Sequence, residues 1–305
     1  MEKILKNKLN QKLIGMTIIN LKTVLKYLNS FFYPDISNII LGYYKFYESI
    51  KLTKSIAIPK NQCLLKMLIK DNKLHIILTL EGQYCCKIII LDILTEEIIS
   101  EIKIDYNTNI SFGYIEDNIY ACSWEYLALY DDKQKMTRVL AENNSYDIST
   151  DDQYIYTSKK DGICCSNMNG RVLYTDPKYK ILFDSSYIYN DELYLLNLEE
   201  CKLVIYKIKP KFYFHKEIDL KYLSKKFKNI LKTGLYTRIY VDLLYIYING
   251  IYELLILDKE TYLSHSYPYF NKFKPIYEHV QPGFTINNDN LYIANNKKLL
   301  IYKFQ

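Results

Sequence analysis

Six short segments of the chain are apolar runs of the length of a strand, and each follows an acidic or polar turn. In every segment an aromatic ring occupies an early position. The six rings are His75, Tyr120, Tyr156, Tyr194, Tyr245 and Tyr292, and successive rings are 36 to 51 residues apart. Short apolar runs that are bounded by turn residues predict β-strands. The chain is therefore predicted to repeat one β unit six times.

A second apolar run follows each ring at a nearly constant offset, as in KIIILD (87–92) and ELLILD (253–258). Runs rich in aliphatic or aromatic residues between turn residues are typical of neighbouring antiparallel strands. The first repeat divides into four such strands, at residues 64–69, 73–80, 87–93 and 96–104. Each repeat is accordingly predicted to be a four-stranded meander.

Six repeats of four strands resemble the six-bladed β-propeller, a ring of sheets around a central channel. The resemblance covers residues 49–305 and implies an all-β fold. The dipeptides of WD repeats and the paired glycines of kelch repeats are absent. No propeller subfamily is indicated, and a β-solenoid or two β-sandwich domains are the alternatives.

The sixth repeat ends at Gln305, directly after its third strand. A closed ring then requires one more strand from elsewhere in the chain, because an open blade would leave an unpaired edge. Residues 49–58 alternate apolar and polar and precede the first repeat. We predict that this N-terminal strand closes the ring beside residues 298–305.

Residues 1–48 have the apolar spacing of helices and form a separate predicted segment. Pro34 and Asp35 suit the first turn of a helix over 31–48. Its predicted apolar, partner-binding face contains Ile36, Ile39, Ile40 and Tyr43. The run YPDISNIILGYY is similar to F-box-like segments and to helical motifs in repeat proteins of large DNA viruses. That resemblance implies binding of a ubiquitin-ligase adaptor.

Composition is that of an ordinary soluble globular chain, with 49% hydrophobic and 24% charged residues. The net charge of +6 is spread over 305 residues, so no nucleic-acid partner is predicted. No stretch is apolar for the roughly 18 residues that a membrane span needs. Seven cysteines lack the paired spacing of zinc sites. They predict reduced thiols in a cytoplasmic protein, or in the host cytoplasm if the protein is viral.

Lysines are concentrated at 207–234, which is predicted to be an excursion between the fourth and fifth repeats. Apolar residues at helical spacing predict a helix over 219–232. Its lysines either keep an outer face solvated or contact an acidic partner or anionic lipid.

Sequence motifs for catalysis are missing: there is no GxSxG elbow, Walker loop, dinucleotide-binding glycine motif or HExxH. The recurring acids Asp117, Asp152, Asp191 and Asp289 precede strands, where aspartate stabilises turns. We expect no catalytic, cofactor-binding or metal-binding residues. The alternatives are a propeller hydrolase with dispersed residues, lactonase- or glycosidase-like, and a structural viral component.

Loops between the second and third strands of a meander share one face of the ring. Charged, amide and aromatic residues at these loops suit protein recognition. The predicted contacts there are Trp124, Glu125, Lys159, Lys160, Asn249 and Tyr252. The predicted function is a non-catalytic protein-interaction scaffold that could serve as a substrate-recognition adaptor.

Overall fold

The structure is a computed structural model. It describes residues 50–57, 62–80, 86–95, 97–104, 111–122, 126–130, 136–142, 147–159, 161–179, 183–223, 238–249, 253–262, 264–268, 283–287, 290–294 and 298–304. These residues form β-strands, connecting turns and a single 3-10 turn of helix at Lys221–Leu223. The predicted helical segment 1–48 lies outside the described residues.

Six antiparallel sheets of four strands each make up the fold. The first described strand is β1 (Ile50–Ala57), which belongs to the last blade. Blade one contains β2 (Gln62–Lys70), β3 (Lys73–Leu80), β4 (Cys86–Asp92) and β5 (Ile98–Ile104). Blade two contains β6 (Ser111–Ile115), β7 (Asn118–Cys122), β8 (Tyr126–Tyr130) and β9 (Met136–Glu142). Blade three contains β10 (Ile148–Thr150), β11 (Tyr154–Lys159), β12 (Gly162–Asn167) and β13 (Val172–Asp176).

Blade four contains β14 (Ser185–Tyr189), β15 (Glu192–Asn197), β16 (Lys202–Lys207) and β17 (Tyr213–Asp219). Blade five contains β18 (Arg238–Val241), β19 (Tyr245–Asn249), β20 (Glu253–Asp258) and β21 (Ser264–Pro268). Blade six contains β22 (Gly283–Asn287), β23 (Asn290–Ala294), β24 (Lys298–Phe304) and β1. The all-β, six-bladed propeller predicted from the repeats is confirmed.

The first strands of neighbouring blades lie against one another, so β2, β6, β10, β14, β18 and β22 surround the central axis. Apolar clusters fill the spaces between successive blades. One cluster joins blades five, six and one through residues such as Tyr247, Tyr292 and Leu74. Stacking neighbours therefore buries both faces of each blade, which is why the strands read as nearly continuous apolar runs.

Blade six combines strands from both ends of the described chain. β1 runs antiparallel to β24, from Ile50 opposite Phe304 to Ala57 opposite Lys298, with a register shift near Leu52. Ile56 packs against the cluster that joins blades five, six and one. Whether the fold depends on this strand is a prediction that truncation tests.

The first hairpin turn has the backbone conformation that its sequence predicts. Asp71 and Asn72 have φ angles of 50° and 58°, the left-handed pair that a two-residue hairpin loop requires. The acid that stabilises the turn between the first and second strands is Asp151 in blade three and Asp242 in blade five. Each accepts hydrogen bonds from two backbone N–H groups and from a buried tyrosine hydroxyl. The prediction that Asp152 has this role is wrong by one residue.

Two further details of the sequence analysis need correction. In blade five the residue equivalent to the other aromatic rings is Tyr247, not Tyr245, because Tyr247 pairs with the first strand as Tyr194 does.

The stretch 207–234 is not simply an excursion, because Tyr213–Asp219 forms the outer strand of blade four. Of the predicted helix 219–232, the described part contains only the 3-10 turn, and Asp219 accepts a hydrogen bond from the Lys221 N–H.

Candidate functional site

The channel has a level at which six equivalent residues, one per blade, face one another. Strand register defines this level. Five of the six residues lie opposite the residue two positions after the aromatic ring of the second strand, and Asp147 directly precedes β10. The residues are Lys66, Ser111, Asp147, Ser185, Arg238 and Gly283. We call the five with polar side chains the polar ring. Two cations, one acid and two hydroxyls are thus placed together by five separate segments of the chain.

An ion pair across blades one and three dominates the polar ring. The Lys66 ammonium donates to Asp147 Oδ1 at 2.9 Å, to Ser111 Oγ at 2.8 Å and to the Ile148 carbonyl at 2.8 Å. Three acceptors match the three N–H groups of an ammonium. The Asp147 side chain is 2% exposed, so the pair is largely removed from water.

Asp147 also connects blade three to blade four. Its Oδ2 accepts from the Ser186 backbone N–H at 2.7 Å and from the Ser186 hydroxyl at 3.0 Å. Its Oδ1 accepts from Ser111 as well as from Lys66. These hydrogen bonds from described residues therefore give the carboxylate two donors on each oxygen, which matches its roughly four acceptor positions.

The two serines of the polar ring perform the same linking task elsewhere. Ser111 Oγ accepts from the Ile148 N–H at 3.3 Å, and Ser185 Oγ accepts from the Ile239 N–H at 3.1 Å. In each case the serine accepts a hydrogen bond from the backbone N–H of the residue that directly follows the polar-ring residue of the next blade. First strands have no sheet partner on the channel side, so such acceptors satisfy buried backbone donors that would otherwise cost stability.

Electrostatics of the ion pair follow from its burial. Burial alone would raise the pKa of Asp147, but Lys66, Arg238 and the hydrogen bond from Ser111 together lower it to about 2. Burial lowers the pKa of Lys66, with Asp147 opposing that effect. Since three acceptors surround Lys66, the charged pair is the state that the geometry fits at neutral pH.

Beside the polar ring the channel widens into a cavity of about 590 Å³. Its walls combine hydroxyls with aromatic and aliphatic side chains, and the described cations that line it are Lys66, Lys70 and Arg238. The remaining lining residues with polar or aromatic side chains include Phe112, Tyr114, Ser149, Thr150, Ser185, Ser186, Tyr187, Tyr240 and Thr285. Exposed acids surround one mouth of the cavity, at Asp71, Glu116, Asp117 and Asp152. A volume of this size is typical of sites for small molecules.

His75 lies in blade one, where the other blades have tyrosine. Its Nδ1 lies 2.8 Å from the hydroxyl of Tyr114. Burial and the nearby Lys70 and Lys73 lower the pKa of His75 to about 4. A neutral, hydrogen-bonded ring in the core gives His75 a structural role.

Of the partner contacts predicted on the loop face, Lys159 and Asn249 are described. Lys159 ends β11 and is half-buried. Asn249 is 0% exposed, so its amide is not a surface contact and that prediction is wrong. Trp124, Glu125, Lys160 and Tyr252, like the helical residues Ile36, Ile39, Ile40 and Tyr43, lie outside the described residues.

The described cysteines behave as core residues. Cys122, Cys164, Cys165 and Cys201 are buried and form no disulfide. Burial raises the pKa of the Cys122 thiol to about 12 and that of Cys165 to about 11. Such thiols remain protonated at neutral pH, and thiolate chemistry is not favoured.

Within the described ranges, no group of three or more histidine, cysteine, aspartate or glutamate side chains could hold a metal ion. No helix in this part of the chain is long and apolar enough to cross a membrane. The polar ring itself was missed by the sequence analysis. Its only local sign is a polar residue at the start of, or directly before, four of the six first strands, β6, β10, β14 and β18, a pattern that any exposed strand end shares.

No protein-family model matches the sequence, and no curated protein matches it. Solved propellers are similar in structure. Virginiamycin B lyase from Staphylococcus aureus superposes with a TM-score of 0.55 at 12% identity, covering 84% of this chain and 100% of that one. A member of the DUF4221 family from Bacteroides vulgatus gives 0.52 at 12% identity, with 84% and 98% covered. The WD40 domain of Neurospora crassa Pan2 gives 0.50 at 9% identity, with 84% and 95% covered. At these identities the likeness shows a shared fold alone.

Proposed function

We propose that this protein is a non-catalytic interaction scaffold whose propeller binds a partner protein along the outer edge of blade three. The observation that carries this proposal is a run of three consecutive exposed apolar residues on β13. Val172, Leu173 and Tyr174 are 42%, 52% and 41% exposed. Among the described strands β13 pairs only with β12, so none of them pairs with the backbone groups of its other edge.

Side chains distinguish β13 from β5, β9 and β17, the outer strands of blades one, two and four. β5, β9 and β17 also contain register shifts, and they place charged residues such as Glu101, Arg138 and Lys216 within the strand. Charges and bulges are devices that protect sheet edges from pairing. β13 has a register shift but no charge before Asp176. The free edge of β13 is therefore less protected against pairing with another strand than the edges of β5, β9 and β17.

An extended apolar segment of the partner fits this edge. Main-chain hydrogen bonds to a sheet edge supply affinity, and alternate side chains supply specificity. Tyr174 stands edge-on to Phe212, with ring centroids 5.2 Å apart. That contact holds an aromatic anchor in place before binding, which lowers the entropic cost of association.

We expect Leu173→Lys to reduce partner binding at least about tenfold, because it buries a charge in the contact. Ile99→Lys on β5 is the matched control, since Ile99 is 50% exposed on another outer strand. Partners of wild type and both variants are compared by affinity purification and mass spectrometry. Hydrogen exchange with the purified partner then locates amide protection. Equal recovery by both variants, or protection away from 172–176, would overturn the proposal. A wild-type dimer that Leu173→Lys dissociates would show that a second copy occupies the edge instead.

The finer proposal is that residues 1–48 attach a second protein, a ubiquitin-ligase adaptor, as their F-box-like run suggests. Changing Ile39 and Ile40 to Asp should abolish adaptor recovery, because both belong to the predicted apolar face. The melting temperature of the propeller should not change. If the intact protein recovers no adaptor, only the scaffold proposal stands. Trp124, Glu125, Lys160 and Tyr252 remain proposed contacts on the loop face.

A dispersed-site hydrolase has less support than a scaffold. Such an enzyme needs acids or bases that are able to reach a substrate. In the polar ring, Lys66 and Asp147 direct their hydrogen bonds to each other, to two serines and to the backbone. These contacts explain the buried charges as links between blades.

A further inference from the structure

On the basis of the proposed function, we propose that the outer edge of β13 selects a partner segment of one chemistry: a short apolar core with an acidic residue at each end. The apolar core would lie along the strand, and the acids would meet cations that flank it.

The exposed side chains of β13 define the length of that core. Val172, Leu173 and Tyr174 are each more than 40% exposed, Thr175 is half-buried and Asp176 is buried. At about 3.3 Å per residue, a strand of this length spans roughly 17 Å. A partner strand of about five residues therefore covers the edge.

Exposed cations lie at both ends of the strand. Arg171 directly precedes β13, and Lys178 follows its last residue by two positions. Neither forms an ion pair with another described residue. The Lys178 ammonium lies 3.5 Å from the centroid of the Phe214 ring, which holds its charge near the C-terminal end of β13. A partner strand on this edge would thus have a cation near each of its ends.

A third exposed cation, Lys211, belongs to the bend that precedes the outer strand of blade four. The next residue, Phe212, packs with its ring centroid 5.2 Å from that of Tyr174. Within the described part of the chain Lys211 also forms no ion pair. It adds a positive charge on the blade-four side of the edge.

Two described acids near these cations are already engaged inside the protein. Asp176 accepts hydrogen bonds from the Tyr206 hydroxyl at 2.8 Å and from the Lys178 backbone N–H at 2.9 Å. Glu217 accepts from a tyrosine hydroxyl at 2.6 Å and pairs with Lys202 at 3.3 Å. Neither carboxylate is therefore directed at the cations that flank β13.

The exposed charges that remain favour an acidic partner. Among the described residues 161–179, the exposed charged residues are Asp161, Arg171 and Lys178. Together with Lys211 they make three cations and one acid. Charges at the rim of a contact affect association rate, salt dependence and the choice of partner more than affinity. The apolar core would therefore supply the affinity, and the flanking acids would decide which segments bind.

A phage-displayed library of random peptides of about 12 residues is the probe. Peptides are selected on the full-length wild type and depleted on Leu173→Ser, which removes the apolar side chain without changing the charge of the edge. The peptides that remain depend on β13. We expect aspartate or glutamate beside their apolar core at least about threefold more often than in the unselected library.

One selected peptide is then synthesised in three forms, with its flanking acids kept, changed to the amides or changed to lysine. Fluorescence anisotropy measures their affinities, and hydrogen exchange should show amide protection at 172–176. At about 50 mM salt the lysine form should bind at least about tenfold more weakly than the acidic form. At about 0.5 M salt the difference should fall to about twofold, because exposed charges are screened.

Charge reversal on the protein tests the same contact from the other side. Arg171→Glu combined with Lys178→Glu should reverse the preference, so that the lysine form binds better than the acidic form. Lys73→Glu combined with Lys303→Glu is the matched control, since both lysines are exposed and belong to blades one and six. The control should keep the preference of the wild type.

The outcomes separate this proposal from the proposed function. Peptides that depend on Leu173 but show no excess of flanking acids would overturn the acidic-flank proposal and leave the β13 edge as a binding site. A preference that the Arg171 and Lys178 reversal leaves unchanged would do the same. If no selected peptide depends on Leu173, the edge is not the binding site, and both proposals fail.

Discussion

Replacing Asp147 with asparagine is expected to lower the free energy of unfolding by about 3–5 kcal/mol, because it leaves the Lys66 ammonium buried without its counter-ion. The asparagine amide would also present a donor either to Lys66 or to the Ser186 N–H, which both donate to the carboxylate in the native protein. Urea denaturation monitored by fluorescence or circular dichroism at pH 7 measures the change.

Asp117→Asn is the matched control for this variant. Asp117 pairs with Lys70 at 3.3 Å, but its side chain is 98% exposed. Exposed pairs contribute little, so the midpoint of thermal unfolding should move by no more than about 2 °C. The double variant Lys66→Met with Asp147→Asn should lose less stability than the two single losses added together, since the two residues interact directly. Additive losses would contradict an interacting pair.

The Asp147 carboxylate makes the free energy of unfolding depend on pH. Its pKa is about 2 in the folded protein and 3.8 ordinarily. A lowered pKa contributes stability that is present above the unfolded value and is lost as the pH falls through the folded value. Between about pH 5 and pH 2 the wild type should lose about 2 kcal/mol more than Asp147→Asn. Parallel pH profiles for the two proteins would show that Asp147 is not the group responsible.

Removing residues 1–60 is expected to abolish cooperative unfolding of the propeller, whereas removing residues 1–30 should leave its melting temperature unchanged. The longer deletion removes β1, which pairs with β24 over the length of the strand. It also uncovers the apolar cluster against which Ile56 packs. An exposed apolar face and a new strand edge both favour aggregation over folding.

Differential scanning calorimetry of the two truncations and the full chain provides the measurement. The 1–30 deletion is the control for effects of shortening the N-terminus, because it retains every described strand. A 61–305 protein that melts cooperatively within about 2 °C of the full chain would show that the ring does not need β1.

Local pattern predicted most of the strands because short apolar runs bounded by turn residues are visible within a few positions of the sequence. The second strand of blade one, predicted at 73–80, is the observed β3 (Lys73–Leu80). The errors arose where local pattern is ambiguous. Tyr245 and Tyr247 are both aromatic and both buried, so sequence could not choose between them, and pairing with β18 made the choice. In β17, exposed and half-buried residues alternate, and its charges concealed an outer strand.

The amino-acid sequence by itself determined the repeat, the four-stranded meander and the all-β class, because alternation and turn residues act within a few positions of one another. Only the tertiary structure decided which side chains meet in the channel. Lys66 in blade one and Asp147 in blade three are 81 residues apart in the sequence, and Arg238 belongs to blade five. Their meeting depends on the register of three separate sheets and on the closure of the ring around the axis. Each buried charge must also form hydrogen bonds or ion pairs with residues from distant segments of the chain, and no local sequence pattern indicates these partners.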